Sequence, residues 1–147
     1  MRYFEDFESG QTFPLGSRQV TRDEIVAFAS QYDPQPFHVD EDAAATSAFG
    51  GLIASGWHTS AIMMRLYVDA LLLDSASMGS PGVSELRWRR PVRPGDTLSG
   101  SVVVESTEPS QRRPERGTVH LRWELRNQNG EVVMTMRARS LFARRDG

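Results

Sequence analysis

Ser55-Gly56-Trp57-His58-Thr59-Ser60-Ala61-Ile62-Met63-Met64-Arg65-Leu66-Tyr67-Val68-Asp69-Ala70-Leu71-Leu72-Leu73 is the most apolar run in the chain, and its neighbours decide what it packs against. Trp57, Ala61, Ile62, Leu66, Ala70 and Leu73 recur at helical spacing, with further apolar residues between them. The run therefore predicts a helix from Ser55 to about Leu73, largely buried. Its most apolar segment, Ala61 to Leu73, is broken by Arg65 and Asp69 and is too short for the ~20 residues that a spanning helix needs. It is core rather than membrane.

Beyond the Ser- and Gly-rich stretch from Asp74 to Gly82 the period changes to two. Leu86, Trp88 and Arg90 alternate with Arg87 and Arg89 as far as Pro91, and Pro94-Gly95-Asp96 turns the chain into a strand from Thr97 to Glu105. Val119, Leu121, Trp123 and Leu125 alternate with His120, Arg122, Glu124 and Arg126, the pattern of a half-buried antiparallel strand. Asn129-Gly130 signals a hairpin into Val132, Met134, Met136 and Ala138. This predicts a sheet of about four strands, with Gln11 to Val20 available as another and Ser106 to Gly117 as a mobile loop. A long apolar helix followed by antiparallel strands is covered only if the sheet curls over it. The fold class is α+β, a curled antiparallel sheet wrapped around a long central helix, with the outer sheet face half exposed or paired with a second copy.

On the other side of the helix, Thr21-Arg22-Asp23-Glu24 is a capping box that opens a helix to Tyr32, and Pro34 ends it at Asp33. Asp40 caps a short alanine-rich helix to Ala48. Between these helices lies Asp33-Pro34-Gln35-Pro36-Phe37-His38, a carboxylate and an imidazole on a proline-stiffened backbone. Fully extended, this stretch would part the two Cα atoms by roughly 16 Å, so a shared water demands a sharp bend there. Taken alone, Asp-Pro is an ordinary turn former and a lone histidine is more often structural.

Composition narrows the chemistry further. The 147 residues suit one domain, residues 1–147, with one core, and the formal charge of -2 gives no reason to expect a nucleic-acid partner. The chain contains no lysine and no cysteine, which excludes Schiff-base and thiol chemistry, disulfides and thiolate metal sites. Asp40, Glu41 and Asp42 begin a helix, where acidic residues suit the dipole, so no metal is assigned. Met1 to Gly10 is acidic and lacks the pattern of a secretory signal, and the cytoplasm is the expected compartment.

Tyr32-Asp33-Pro34-Gln35-Pro36-Phe37-His38-Val39-Asp40 resembles the hydratase signature of MaoC-like dehydratases and (R)-specific enoyl-CoA hydratases, usually Gly-Asp-x-Asn-Pro-Leu-His-x-Asp. Phe49 to Gly56 is similar to the family's Phe-x-x-x-Ile-x-x-Gly turn. Arg90-Pro91-Val92-Arg93-Pro94-Gly95-Asp96 resembles its strand-turn element, and Tyr3 to Phe7 its opening. The resemblance covers nearly the full chain. It implies a hot-dog fold, a homodimer or an assembly of dimers, and action on acyl thioesters of coenzyme A or an acyl carrier without a metal or organic cofactor. It also implies a hydro-lyase in which Asp33 takes the proton from the water that attacks Cβ. His38 orients that water and shares the proton traffic to Cα. Gly56 becomes the oxyanion donor at a helix start, with Ser55, Trp57, Gln35 and His58 as neighbouring oxyanion or substrate contacts. Met63, Met64, Leu66 and Tyr67 are expected along an acyl tunnel. The chain departs from the pattern at Gln35 for asparagine, Tyr32 for glycine and Met64 for a helix serine.

Two rivals share the scaffold. An acyl-CoA thioesterase needs a carboxylate on the central helix, and Asp69 lies three to four turns beyond Gly56 at ~3.6 residues per turn, too far to meet the same carbonyl. A non-catalytic acyl-thioester binding protein would have no need of both Asp33 and His38.

Overall fold

Capping residues set where the helices begin. In the computed structural model, which describes residues 1–146, the Thr21 hydroxyl accepts from the Glu24 N–H and the Glu24 carboxylate accepts from the Thr21 N–H, opening α1 (Arg22–Tyr32). The Asp33 N–H still bonds to Ala29 O, so the carboxylate leaves the helix from a fixed stem. A one-turn helix, α2 (Pro36–Val39), follows where the sequence predicts only a turn. Pro36 takes its first position, which needs no N–H donor. Asp40 accepts from the N–H groups of Asp42 and Ala43 to start α3 (Glu41–Ala45). That helix stops short of Ala48, because the hydroxyls of Thr46 and Ser47 turn back onto Ala43 O and Ala44 O.

Ser55 caps the central helix α4 (Gly56–Ala70), donating nothing to it but accepting the Trp57 N–H. It ends before Leu73, and Leu72–Asp74 tighten into a 3-10 turn. His58, Thr59, Ile62, Met63, Leu66 and Tyr67 are buried. The expectation of a largely buried helix is nevertheless corrected on its other side, where Trp57 is 59% and Met64 45% exposed. Trp57 meets only Trp88 at the end of the edge strand there, which leaves both side chains partly open to solvent.

Five strands, β1 (Thr12–Gln19), β2 (Val83–Trp88), β3 (Thr97–Pro109), β4 (Arg116–Arg126) and β5 (Val132–Ala143), form one antiparallel sheet in the order β1-β3-β4-β5-β2. Each of the four pairings carries a register shift, and such bulges deepen the twist that curls a sheet. The predicted mobile loop from Ser106 to Gly117 is half strand instead. Pairing of β3 with β4 continues past the bulge at Val104/Ser106 to Pro109 opposite Gly117, which leaves only 110–115 as a turn.

Val102, Val104, Leu121, Trp123, Leu125 and Met134 point from the sheet into the core with Ile62, Met63 and Tyr67 of α4. Tyr67 meets Trp123 edge to face at 5.1 Å. Each such fully buried apolar side chain contributes roughly 1.5–3 kcal/mol. Burial also pushes the Tyr67 hydroxyl up to about 12, with Ser140 at 3.4 Å pulling the other way. The core thus fixes α4, and α4 carries the Ser55-Gly56 start of its first turn to one end of the sheet. No helix among the described residues is long and apolar enough to cross a membrane.

Candidate active site

The bend required between Asp33 and His38 is present. Gln35 N–H bonds to Asp33 O and His38 N–H to Gln35 O, so the one-turn helix folds the imidazole back over the carboxylate. Asp33 Oδ2 lies 3.3 Å from His38 Nε2. His38 is only 4% exposed, and its Nδ1 sits 2.7 Å from Ile53 O, a carbonyl that can only accept. Nδ1 therefore carries a proton in either charge state of the ring, and Nε2 is the nitrogen that faces Asp33.

Asp33 is held from two sides. The Ser55 hydroxyl donates to Oδ2 at 2.7 Å and the Gln35 side-chain amide to Oδ1 at 2.8 Å. Burial works against its charge, but these two donors and the neighbouring His38 outweigh it and hold the carboxyl below its ordinary range. Gln35, where the family signature has asparagine, thus reaches the carboxylate. Ser55 is fully buried, and its oxygen ties the start of α4 to Asp33. Ile53, Ser55 and Gly56 accordingly bring a histidine anchor, a carboxylate anchor and a helix N-terminus to one place.

A cavity of about 400 Å³ opens over this cluster, lined among others by Asp33, Gln35, His38, Gly56, Trp57 and Trp88. Apolar walls come from Phe37, Phe49, Ala54 and Val133, and Arg89 and Arg90 stand at its β2 side. It can hold a water against both proton carriers and a polar oxygen near the α4 N-terminus, where the helix dipole is positive. A larger concavity of about 540 Å³ lies over the exposed sheet face, lined by Glu105, His120, Arg137 and Arg139. There the polar groups pair with one another, Arg137 with Glu105 at 3.3 Å and His120 with Glu108 at 3.2 Å. Only the smaller cavity joins a carboxylate, an imidazole and a helix N-terminus.

Not every expected site residue reaches it. His58 is turned away, stacked on Phe28 of α1 with ring centroids 4.9 Å apart, because its position on α4 faces the α1 packing seam. It is absent from the cavity lining. Ser55 lies behind the wall rather than in it. Met63, Leu66 and Tyr67 are spent in the core at 7% exposure or less, and Met64 faces outward, so no acyl tunnel runs along them. Trp88 was missed by the sequence reading. It arrives on an edge strand, and its alternation with Arg87 and Arg89 gives no sign of which residue it meets.

A family model described as "MaoC like domain" matches residues 6–124. The chain belongs to the MaoC-like domain family. This MaoC-like chain is 44% identical to the crystal structure of a MaoC-like dehydratase from Rhodospirillum rubrum, over 99% of both chains and with a TM-score of 0.91. It is 31% identical over 117 residues to an (R)-specific enoyl-CoA hydratase of Rhodospirillum rubrum, covering 76% of each. It is 34% identical over 113 residues to a 3-hydroxybutyryl-CoA dehydratase of Methylorubrum extorquens, covering 76% of this chain and 69% of that one. The five-stranded sheet with its central helix is thus the hot-dog fold expected from the signature.

Proposed function

We propose that this MaoC-like chain is a hydro-lyase that adds water to, or removes it from, the 2,3 position of an enoyl or 3-hydroxyacyl thioester. The observation that carries the reading is the 3.3 Å approach of Asp33 Oδ2 to His38 Nε2 on the wall of a cavity that also receives Gly56. Relatives named as a hydratase and a dehydratase of CoA thioesters support the same class of substrate.

In the hydration direction the thioester carbonyl points at the N-terminus of α4, where backbone N–H groups stabilise the negative charge of an enolate. Water sits on the cavity side of the pair, within reach of both Asp33 and His38. Asp33 takes one proton as the water oxygen bonds to Cβ, and the double-bond electrons move to Cα and the carbonyl oxygen. Protonated His38 gives its Nε2 proton to Cα, and the proton on Asp33 then passes back to His38, so one water is added and the pair is restored. Positioning is shared. Ser55 and Gln35 keep Asp33 ionised and aimed, and Ile53 O fixes the histidine ring.

The chain works in this reading as one hot-dog domain that takes a CoA or carrier thioester and needs no metal or organic cofactor. Hydrolysis fits less well, since Asp69 is paired with Arg65 at 2.8 Å on the exposed last turn of α4, away from the cavity. The test is loss of the conjugated-thioester absorbance of trans-2-enoyl-CoA substrates. Asp33→Asn and His38→Ala are each expected to lower kcat/KM by roughly 10²–10⁴-fold, the range for a lost general acid or base. Activity that survives both substitutions, or release of free thiol, sinks the reading.

A further inference from the structure

We propose that Trp88 is the specificity-determining residue of this site and restricts it to short acyl chains; the inference rests on the thioester reading above. A Cβ placed on Gly56 would lie 2.4 Å from the indole Cδ2 of Trp88 and 2.5 Å from Cε2, so the tryptophan stands directly over the first residue of α4. Glycine at 56 is thus required by the indole, which fills the space its missing side chain leaves. The ring is fixed there. Its Nε1–H donates to Ser60 Oγ at 3.0 Å, and Ser60 Oγ bonds to Gly56 O at 3.1 Å, so the first turn of α4 itself anchors the indole. Trp57 meets it edge to face at 4.9 Å.

This fixed ring closes the route a long chain would need. Of the helix, only Gly56, Trp57 and Thr59 line the cavity, and the next inward residues, Ile62, Met63 and Leu66, are packed against the sheet with at most 7% exposure. A chain passing Cβ therefore meets Trp88, Val133 and Thr59 within a few carbons rather than a channel along α4. The room beyond the dyad suits a short linear 2-enoyl thioester.

Calorimetric titration with saturated butanoyl-, octanoyl- and dodecanoyl-CoA separates this from the chemistry, because these ligands bind without reacting. The parent is expected to bind butanoyl-CoA at least as tightly as the longer chains. Trp88→Ala is expected to shift the octanoyl-to-butanoyl affinity ratio toward the longer chain by about tenfold or more, the scale of opening a hydrophobic pocket by several methylenes. Trp88→Phe keeps an aromatic ring but loses the bond to Ser60, and a smaller shift in the same direction is expected; it carries the test if the alanine variant does not fold. Sedimentation of each variant beside the parent excludes a change of assembly as the cause. A parent that prefers dodecanoyl-CoA, a parent that binds no acyl-CoA, or a ratio unchanged in folded Trp88 variants overturns the proposal. Failure of turnover alone, with the ratio shifted as expected, strikes the hydro-lyase reading and leaves the pocket assignment standing.

Discussion

At the scale of single residues, the site turns on how many donors a half-buried carboxylate can gather. Asp33 has two, and Ser55 is the more consequential because its oxygen also caps α4. Ser55→Ala removes both services. Loss of a hydrogen bond to a charged group, worth roughly 1.5–3 kcal/mol, is expected to lower kcat/KM about tenfold or more. Loss of the cap is expected to cost about 1 kcal/mol of stability. A pH profile tells the two apart. The folded-state pKa of Asp33 is depressed, so removing a donor raises it, and the acidic limb of kcat/KM against pH is expected to move to higher pH. A lower melting temperature with an unmoved acidic limb would show that Ser55 serves only the helix. The bend between Asp33 and His38 was legible in the sequence because a shared water demands it of a proline-stiffened backbone, whereas the choice of Asp33, His38 and Gly56 as candidates came from the resemblance to the family signature. The hydrogen bond from Ser55 and the seat of Trp88 were not legible, since each joins segments that only the tertiary fold brings together.

Among the elements, α4 shows where periodicity stops being informative. Helical spacing announced the helix, and the capping residues announced α1 and α3, but spacing cannot tell a face that meets a sheet from one that meets solvent. Trp57 and Met64 are exposed for that reason, and His58 faces α1 instead of the cavity. Its position there has a consequence for stability. Burial holds the His58 imidazole below its ordinary pKa, with Glu24 raising it and Arg18 lowering it by smaller amounts, and Nδ1 has no hydrogen-bond partner among the described residues. The unfolded chain takes up a proton near pH 6.5 while the folded chain resists it, so this residue is expected to subtract stability as pH falls through about 6.5. His58→Phe keeps the stack on Phe28 and abolishes the titration. Urea unfolding between pH 7.5 and 5.5 is expected to give a flatter dependence for that variant than for the parent. Equal slopes would mean that His58 protonates freely in the fold.

For the whole molecule, the sheet ends in two different ways. β2 is an edge strand on which Val83 is 55% and Trp88 44% exposed, and beside it α4 presents Trp57 and Met64. An uncovered strand edge next to an uncovered apolar helix face invites pairing with another chain. A second copy offers both features at once, because a two-fold axis sets each surface against its own image. We expect a homodimer joined along β2 and the exposed side of α4. Sedimentation equilibrium at micromolar protein is expected to give twice the 16.5 kDa chain mass. Val83→Arg sets like charges facing across the axis and is expected to shift the equilibrium toward the single chain. Because Arg89, Arg90 and Trp57 lie on the same side as this edge and also line the cavity, dissociation is expected to raise KM more than it lowers kcat. A parent that sediments as a single chain with full activity would remove the dimer from the account and leave the dyad, its serine and its tryptophan wall to be judged within one copy.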